Sequence, residues 1–215
     1  MIQLDAIKDY NETKKRLFIR VLSLKNNREM INTVPHKIVE DLVITYHIAL
    51  DANEDKLASV IITDEMFDVY GITVGQLHKD ALENSPRIMQ PEIFTMGALL
   101  ENDLLTVTPE EKEMFKNNEF ALYVATNNYK QYGASVIFYP EVLDNVCELF
   151  GNDLWILPSS IHEMLILPDN GMYKPYFLKA IVMNVNEKEI TQEEYLSDNI
   201  YHYSKAKHEF KCVTY

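Results

Sequence analysis

Apolar and polar positions along this chain switch repeatedly between the period of a strand and that of a helix. Leu17–Leu24 (LFIRVLSL) is an apolar run that predicts a strand, with a helix running on to Ile31 as the alternative, and Pro35 interrupts the chain beyond it. Leu42–Leu50 (LVITYHIAL) is β-branched and aromatic, residues 51–55 form a polar turn, and Leu57–Ile62 returns, which together predict an antiparallel hairpin. Residues 64–70 predict a short helix stopped at Gly71. Thr73-Val-Gly-Gln76 has the form of a capping box, in which hydroxyl and amide satisfy free backbone N–H groups reciprocally. The helix it opens carries Leu77, Ala81 and Leu82 and is expected to end before Pro86.

Residues 86–107 read as irregular, with a helical turn near Met96–Glu101, and Thr108-Pro-Glu-Glu111 starts a further helix that ends around Asn117-Asn118. Phe120–Thr126 predicts a strand, Asn127-Asn128 a turn, and Tyr132–Tyr139 the returning strand. Pro140 then opens a helix with Val142, Leu143, Val146, Leu149 and Phe150, stopped at Gly151. Strands are expected at Leu154–Leu157 and Ile161–Leu167 around a Pro158-Ser-Ser turn. The helix over residues 173–186 is expected to turn Phe177, Leu178, Ile181, Val182 and Val185 inward. Thr191–Glu194 caps a short turn, Ile200–Tyr203 is a last strand, and the tail is polar.

These elements define an α+β class: a mostly antiparallel sheet with helices packed on it, in one domain over residues 1–215, with residues 1–16 flexible. One internal match stands out. Residues 58–68 (ASVIITDEMFD) align with residues 134–144 (ASVIFYPEVLD) at an offset of 76, which predicts a strand–strand–helix unit occurring twice, at about 42–71 and 120–151.

Composition sharpens this only in part. The formal net charge of −13 is uneven: residues 1–40 hold eight Lys/Arg against five Asp/Glu, and residues 41–215 hold twelve against twenty-eight. Nucleic acid is therefore not an expected partner, because phosphate binding depends on Lys/Arg neutralisation. The basic segment with Lys14, Lys15, Arg16, Arg20, Lys25 and Arg28 offers a contact either to nucleic acid or to the acidic remainder of the chain, and the second is the expected one because it requires no partner. Two cysteines, no leader-like start and no apolar run near 20 residues point to a cytoplasmic protein that does not enter the membrane.

The densest gathering of reactive side chains is Leu157-Pro-Ser-Ser-Ile-His-Glu163. Ser159, Ser160, His162 and Glu163 are the candidate catalytic residues, since a hydroxyl nucleophile needs a base within hydrogen-bond reach and a group that orients it. If the second strand begins at Ile161, Ser160 and His162 share a face and Glu163 points away. The competing and preferred reading is structural, with serines folding back on a turn and His162 and Glu163 joining loops. A zinc motif H-E-x-x-H fails at Ile166, the remaining histidines lack ligand spacing, and the six glycines form no phosphate-binding loop, so no metal or cofactor is expected. Thirteen tyrosines, among them Tyr123, Tyr129, Tyr132, Tyr139, Tyr201 and Tyr203, either pave half-buried strands or supply a contact surface.

Several stretches resemble a family of uncharacterised bacterial proteins, a domain of unknown function found in anaerobic gut bacteria. They are residues 26–36 (NNREMINTVPH), Tyr46-His-Ile, residues 81–86 (ALENSP), Tyr132-Gly-Ala, residues 157–163 with Leu167-Pro-Asp169, and residues 197–203 (SDNIYHY). The likeness runs from about residue 20 to 203 and corresponds to the C-terminal part of members that carry an additional N-terminal region. It implies no activity, cofactor or catalytic residue, and it places such proteins among the cargo of mobile elements, in host defence or counter-defence. The resulting expectation is a non-enzymatic protein that binds a protein partner through an acidic, tyrosine-rich surface. The alternative is a small hydrolase centred on Ser160 and His162.

Overall fold

The computed structural model describes residues 7–52, 56–96 and 122–214. The fold is α+β, with antiparallel strand pairing throughout the described sheets. The first sheet contains β1 (Leu17–Ser23), β2 (His36–Val39), β3 (Leu42–Ala52) and β4 (Leu57–Ile61). The long β3 pairs with β1 along one edge and with β2 and then β4 along the other. The expected hairpin at 42–62 is therefore present as β3–β4. The second sheet runs β10-β9-β7-β8-β6-β5, with β5 at Pro91–Thr95, β6 at Tyr123–Asn127, β7 at Leu154–Ser160, β8 at Glu163–Pro168, β9 at Ile200–Ser204 and β10 at Glu209–Val213. Two short helices, α1 (Tyr10–Thr13) and α2 (Asp64–Tyr70), precede the longer α3 (Val74–Ile88) along the chain.

Strand alternation gives the first sheet two unlike faces. Leu17, Ile19 and Val21 of β1 and Ile44, Tyr46 and Ile48 of β3 join the main hydrophobic core, together with Leu77 and Ala81 of α3 and Leu154, Ile156 and Met164 of the second sheet. Residues of opposite parity, Arg20, Thr45 and His47, with Ser59 of β4, give the other face its polar character. A smaller core lies under helix α5 (Pro175–Glu189), where Leu178 and Val182 meet Trp155, Leu157 and Leu167.

Several expectations are corrected. Residues 133–138 form a 3₁₀ helix, not a strand, and β6 pairs instead with β5 and β8. Five consecutive residues there, 133–137, are buried, and such an apolar run has no period by which strand and helix can be told apart. The two segments at offset 76 therefore fold differently and are not a structural repeat. Helix α3 runs through Pro86. Its last turn is anchored by side chains: the Asn84 amide donates to the carbonyls of Lys14, outside the helix, and Asp80, and the Ser85 hydroxyl donates to Ala81 and accepts the N–H of Ile19 on the edge of β1 away from β3. These bonds outweigh the local preference of proline to end a helix. Strands β5 and β10 were not expected; in β10 the polar tail hides an alternation that brings Phe210 and Cys212 against the core. In helix α4 (Val142–Phe150), Leu143, Val146 and Cys147 are buried, but Leu149 faces solvent. In α5 only Leu178 and Val182 are buried, whereas Phe177, Ile181 and Val185 are exposed. The expected helical turn at 96–101 reaches the described residues only at Met96, and the helix from Thr108 lies outside them. No described helix is long and apolar enough to cross a membrane.

Candidate functional site

The segment that sequence singled out is a tight hairpin turn. β7 continues through Pro158 to Ser160 and β8 begins at Glu163, so Ser160 and Glu163 are cross-strand partners and Ile161-His162 is the turn between them. This corrects the expected strand start at Ile161, and with it the shared face of Ser160 and His162. Pro158 is accommodated because β9 pairs with β7 only as far as Ile156, leaving that end of β7 as an edge.

Each polar group of the turn has a structural partner. The Ser160 hydroxyl accepts the His162 N–H at 3.0 Å, and the Ser159 hydroxyl donates to Glu163 at 3.0 Å. The His162 carbonyl accepts from the Thr126 hydroxyl, and the Ile161 carbonyl from the N–H of Ala134. The His162 ring accepts the N–H of Tyr132 on Nδ1 at 3.1 Å, and its Nε2 lies 3.7 Å from Glu194. An imidazole that accepts on Nδ1 carries its proton on Nε2 when neutral, so neither nitrogen offers a free lone pair to a hydroxyl. Tyr132 takes a left-handed conformation (φ 53°), and Gly133 follows at a close approach. A Cβ at Gly133 would stand 2.5 Å from the His162 carbonyl and 2.8 Å from the Asn127 nitrogen.

A second constellation was missed by the sequence reading. A cavity of about 880 Å³ opens against the polar face of the first sheet, with Arg20 and His47 lining it together with Tyr132, Ile161 and the segment Thr191–Glu193. The Arg20 guanidinium stacks on the Tyr132 ring, 3.7 Å from its centre, and donates through Nη2 to Ser59 at 2.8 Å. Its Nε is buried without a hydrogen-bond partner, and no carboxylate among the described residues pairs with it. Among the described residues the contact expected between Arg20 and the acidic remainder of the chain is therefore not made as an ion pair. Burial lowers the pKa of Arg20 and, with help from Arg20, holds that of His47 well below the usual histidine range, so His47 is neutral here. The one sequence signal was a charged residue inside LFIRVLSL, where the neighbours on its own strand face, Phe18, Leu22 and Leu24, are apolar.

Of the six tyrosines singled out, Tyr139, Tyr201 and Tyr203 are buried, and Tyr123, Tyr129 and Tyr132 are half-buried. Tyr201 donates to Asp41 at 2.6 Å and Tyr203 to Asp144 at 2.8 Å. Asp41 also accepts from Ser197 and Asn199, so residues 197–201 are tied to the β2–β3 turn by one carboxylate. Among the described residues no cluster of His, Cys, Asp and Glu could hold a metal ion.

The fold and these sites define an α+β protein with two antiparallel sheets and a polar cleft beside one of them. The chain belongs to the family of unknown function DUF5688, which matches residues 1–205. No curated protein and no solved structure matches it.

Proposed function

We propose that this chain is a non-enzymatic binding protein whose partner is a basic protein, held on the exposed face of α5. The observation that carries this reading is the side of α5 turned away from the second sheet. Phe177, Ile181 and Val185 recur every fourth residue as one stripe, with Tyr176 and Met183 also on the surface, and exposures run from 38% for Val185 to 68% for Tyr176. A continuous apolar stripe left open to water marks an interaction surface more often than a scattering of single residues does. Charge selects the partner: residues 41–215 carry twelve Lys/Arg against twenty-eight Asp/Glu, so a basic protein is attracted and nucleic acid repelled. This moves the contact surface from the strand tyrosines, half of which serve the core, to a helix. Conflict between a mobile element and its host is the setting in which such a contact would act, following the resemblance drawn from the sequence.

The hydrolase alternative loses support from His162, whose Nδ1 accepts a backbone N–H while Ser160 bonds to backbone. The test is capture of the partner with wild type and with Phe177→Asp/Ile181→Asp, the fold of each checked by circular dichroism. A basic protein that is retained by wild type, lost by the variant and released by salt supports the proposal. Equal capture by both, or sedimentation of the wild type as a dimer through this face, overturns it.

A further inference from the structure

The cleft beside the first sheet holds a charge that the described protein does not answer. We propose that it is a binding site for a small carboxylic acid, with Arg20 as the residue that recognises the carboxylate. The proposal is independent of the α5 surface and of the partner assigned to it.

Arg20 rises from the middle of β1 into the cavity, and the groups around it are neutral. Ser59 takes one Nη2 hydrogen, the Tyr132 ring covers one face of the guanidinium, and His47 is bonded to Thr45 through Nε2 at 3.0 Å. None of these neutralises a guanidinium taken out of water. Burying an ion without a counter-charge is costly, and natural proteins offset it with a partner of opposite charge. Here Nε is closed off from solvent without a partner, Nη1 makes no hydrogen bond within the described residues, and Nη2 gives only one of its two hydrogens to Ser59, so the end of the guanidinium keeps donor capacity for a ligand. A planar guanidinium matches a planar carboxylate with two parallel hydrogen bonds.

The surroundings limit the charge of the ligand. Among the described residues Arg20 is the one cation lining the cavity, His47 is neutral, Glu193 stands at the rim, and the whole chain is at −13. A phosphate dianion or a polyanion would exceed the single positive charge and meet the acidic surface, whereas a monocarboxylate is balanced one to one. Size and lining limit its body. About 880 Å³ is room for a metabolite-sized molecule, and Leu22, Ile161 and the rings of Tyr132 and Tyr195 offer it apolar contact. The walls come from parts of the chain far apart in sequence, and the Asn26 amide bonds the Gln192 carbonyl across them at 3.2 Å, which fixes the shape of the rim.

The full chain labelled with ¹⁵N is titrated with benzoate, acetate and inorganic phosphate at constant ionic strength. Arginine side-chain resonances and the melting temperature are followed. The expected result is a saturable shift of the Arg20 guanidinium signals by benzoate, a weaker one by acetate and the least by phosphate, with benzoate raising the melting temperature by a few degrees. Arg20→Gln should abolish the benzoate effect. Arg20→Lys keeps the charge without the planar fork and should weaken binding by an order of magnitude or more. Gln192→Trp fills the mouth of the cleft without touching Arg20; it should block benzoate and keeps the test open if the Arg20 variants fail to fold. No Arg20 shift on saturation with any carboxylate probe overturns the site. A benzoate effect that survives in Arg20→Gln or in Gln192→Trp also overturns it. Phosphate binding more tightly than benzoate overturns the carboxylate assignment.

Discussion

The β7–β8 turn and the Arg20 cleft meet at Tyr132, whose N–H bonds the His162 ring while its own ring stacks on Arg20. Both gather polar side chains, but they match them differently. In the turn every hydroxyl, the imidazole and the carboxylate have a partner within a few residues or on the adjoining loop. In the cleft a guanidinium sits half-buried with an orphaned Nε and no counter-ion among the described residues. A saturated polar cluster specifies a shape, because its bonds are satisfied only in one geometry. An unsaturated one leaves binding energy for something else. Density of polar residues in sequence therefore pointed to the turn, and the donors left unsatisfied in three dimensions point to the cleft.

The largest effect expected from breaking this contrast is at Gly133, which lets the Tyr132 segment approach the turn. Gly133→Ala places a Cβ against backbone at 2.5 and 2.8 Å, contacts that no rotamer change relieves. A loss of about 3 kcal/mol or more is expected, read as a fall in urea midpoint. Asp41 is a saturated charge elsewhere in the molecule, accepting from Ser197, Asn199 and Tyr201. Asp41→Ala should cost about 3 kcal/mol, because it strands the hydroxyl of the fully buried Tyr201; a cost near zero in chemical denaturation would put Asp41 outside the saturated group. His162→Ala should come next at about 2 kcal/mol, since the Tyr132 N–H loses its acceptor. Thermal melts check it, and a melting temperature equal to wild type would make His162 a free base again.

Local chemistry was legible in the sequence and assembled chemistry was not. The β3–β4 hairpin, helix α2 ended by Gly71, and the Thr73 cap of α3 arise from neighbours in the chain. The reciprocal half of the capping box does not form, because the Gln76 amide bonds Asp80 instead. The misreadings have a common cause, which is that distant contacts overrule local preference. Pro86 stays in a helix held by Lys14 and Ile19. Residues 133–138 leave the strand state where Gly133 packs against Thr126 and His162. The cleft needs residues 20, 47, 132, 161 and 192 together, and no spacing along the chain announces that.

The smallest effect on stability is expected at Arg20, and it is the sharpest test of the comparison. If the cleft's charge is uncompensated, removing it should cost little: Arg20→Met keeps an unbranched apolar stem against Phe18 and Tyr132 and gives up one bond to Ser59. Replacing an unpaired buried charge by an apolar group of similar length is often neutral or stabilising, so a change under about 1 kcal/mol in either direction is expected in the absence of ligand. The pH profile carries the sign. His47 is disfavoured in its charged form first by burial and then by Arg20. Its unfolded state therefore binds the proton more readily, so the stability it contributes is full above about pH 6.5 and falls as the pH drops below that value. Arg20→Met removes the repulsion and leaves the burial, so the acid-side loss should keep its direction and level off at a higher pH than in wild type. Urea denaturation of both proteins from pH 7 down to the acid limit of folding measures it. A cost of several kcal/mol at pH 7 would mean that Arg20 is as well matched as the turn.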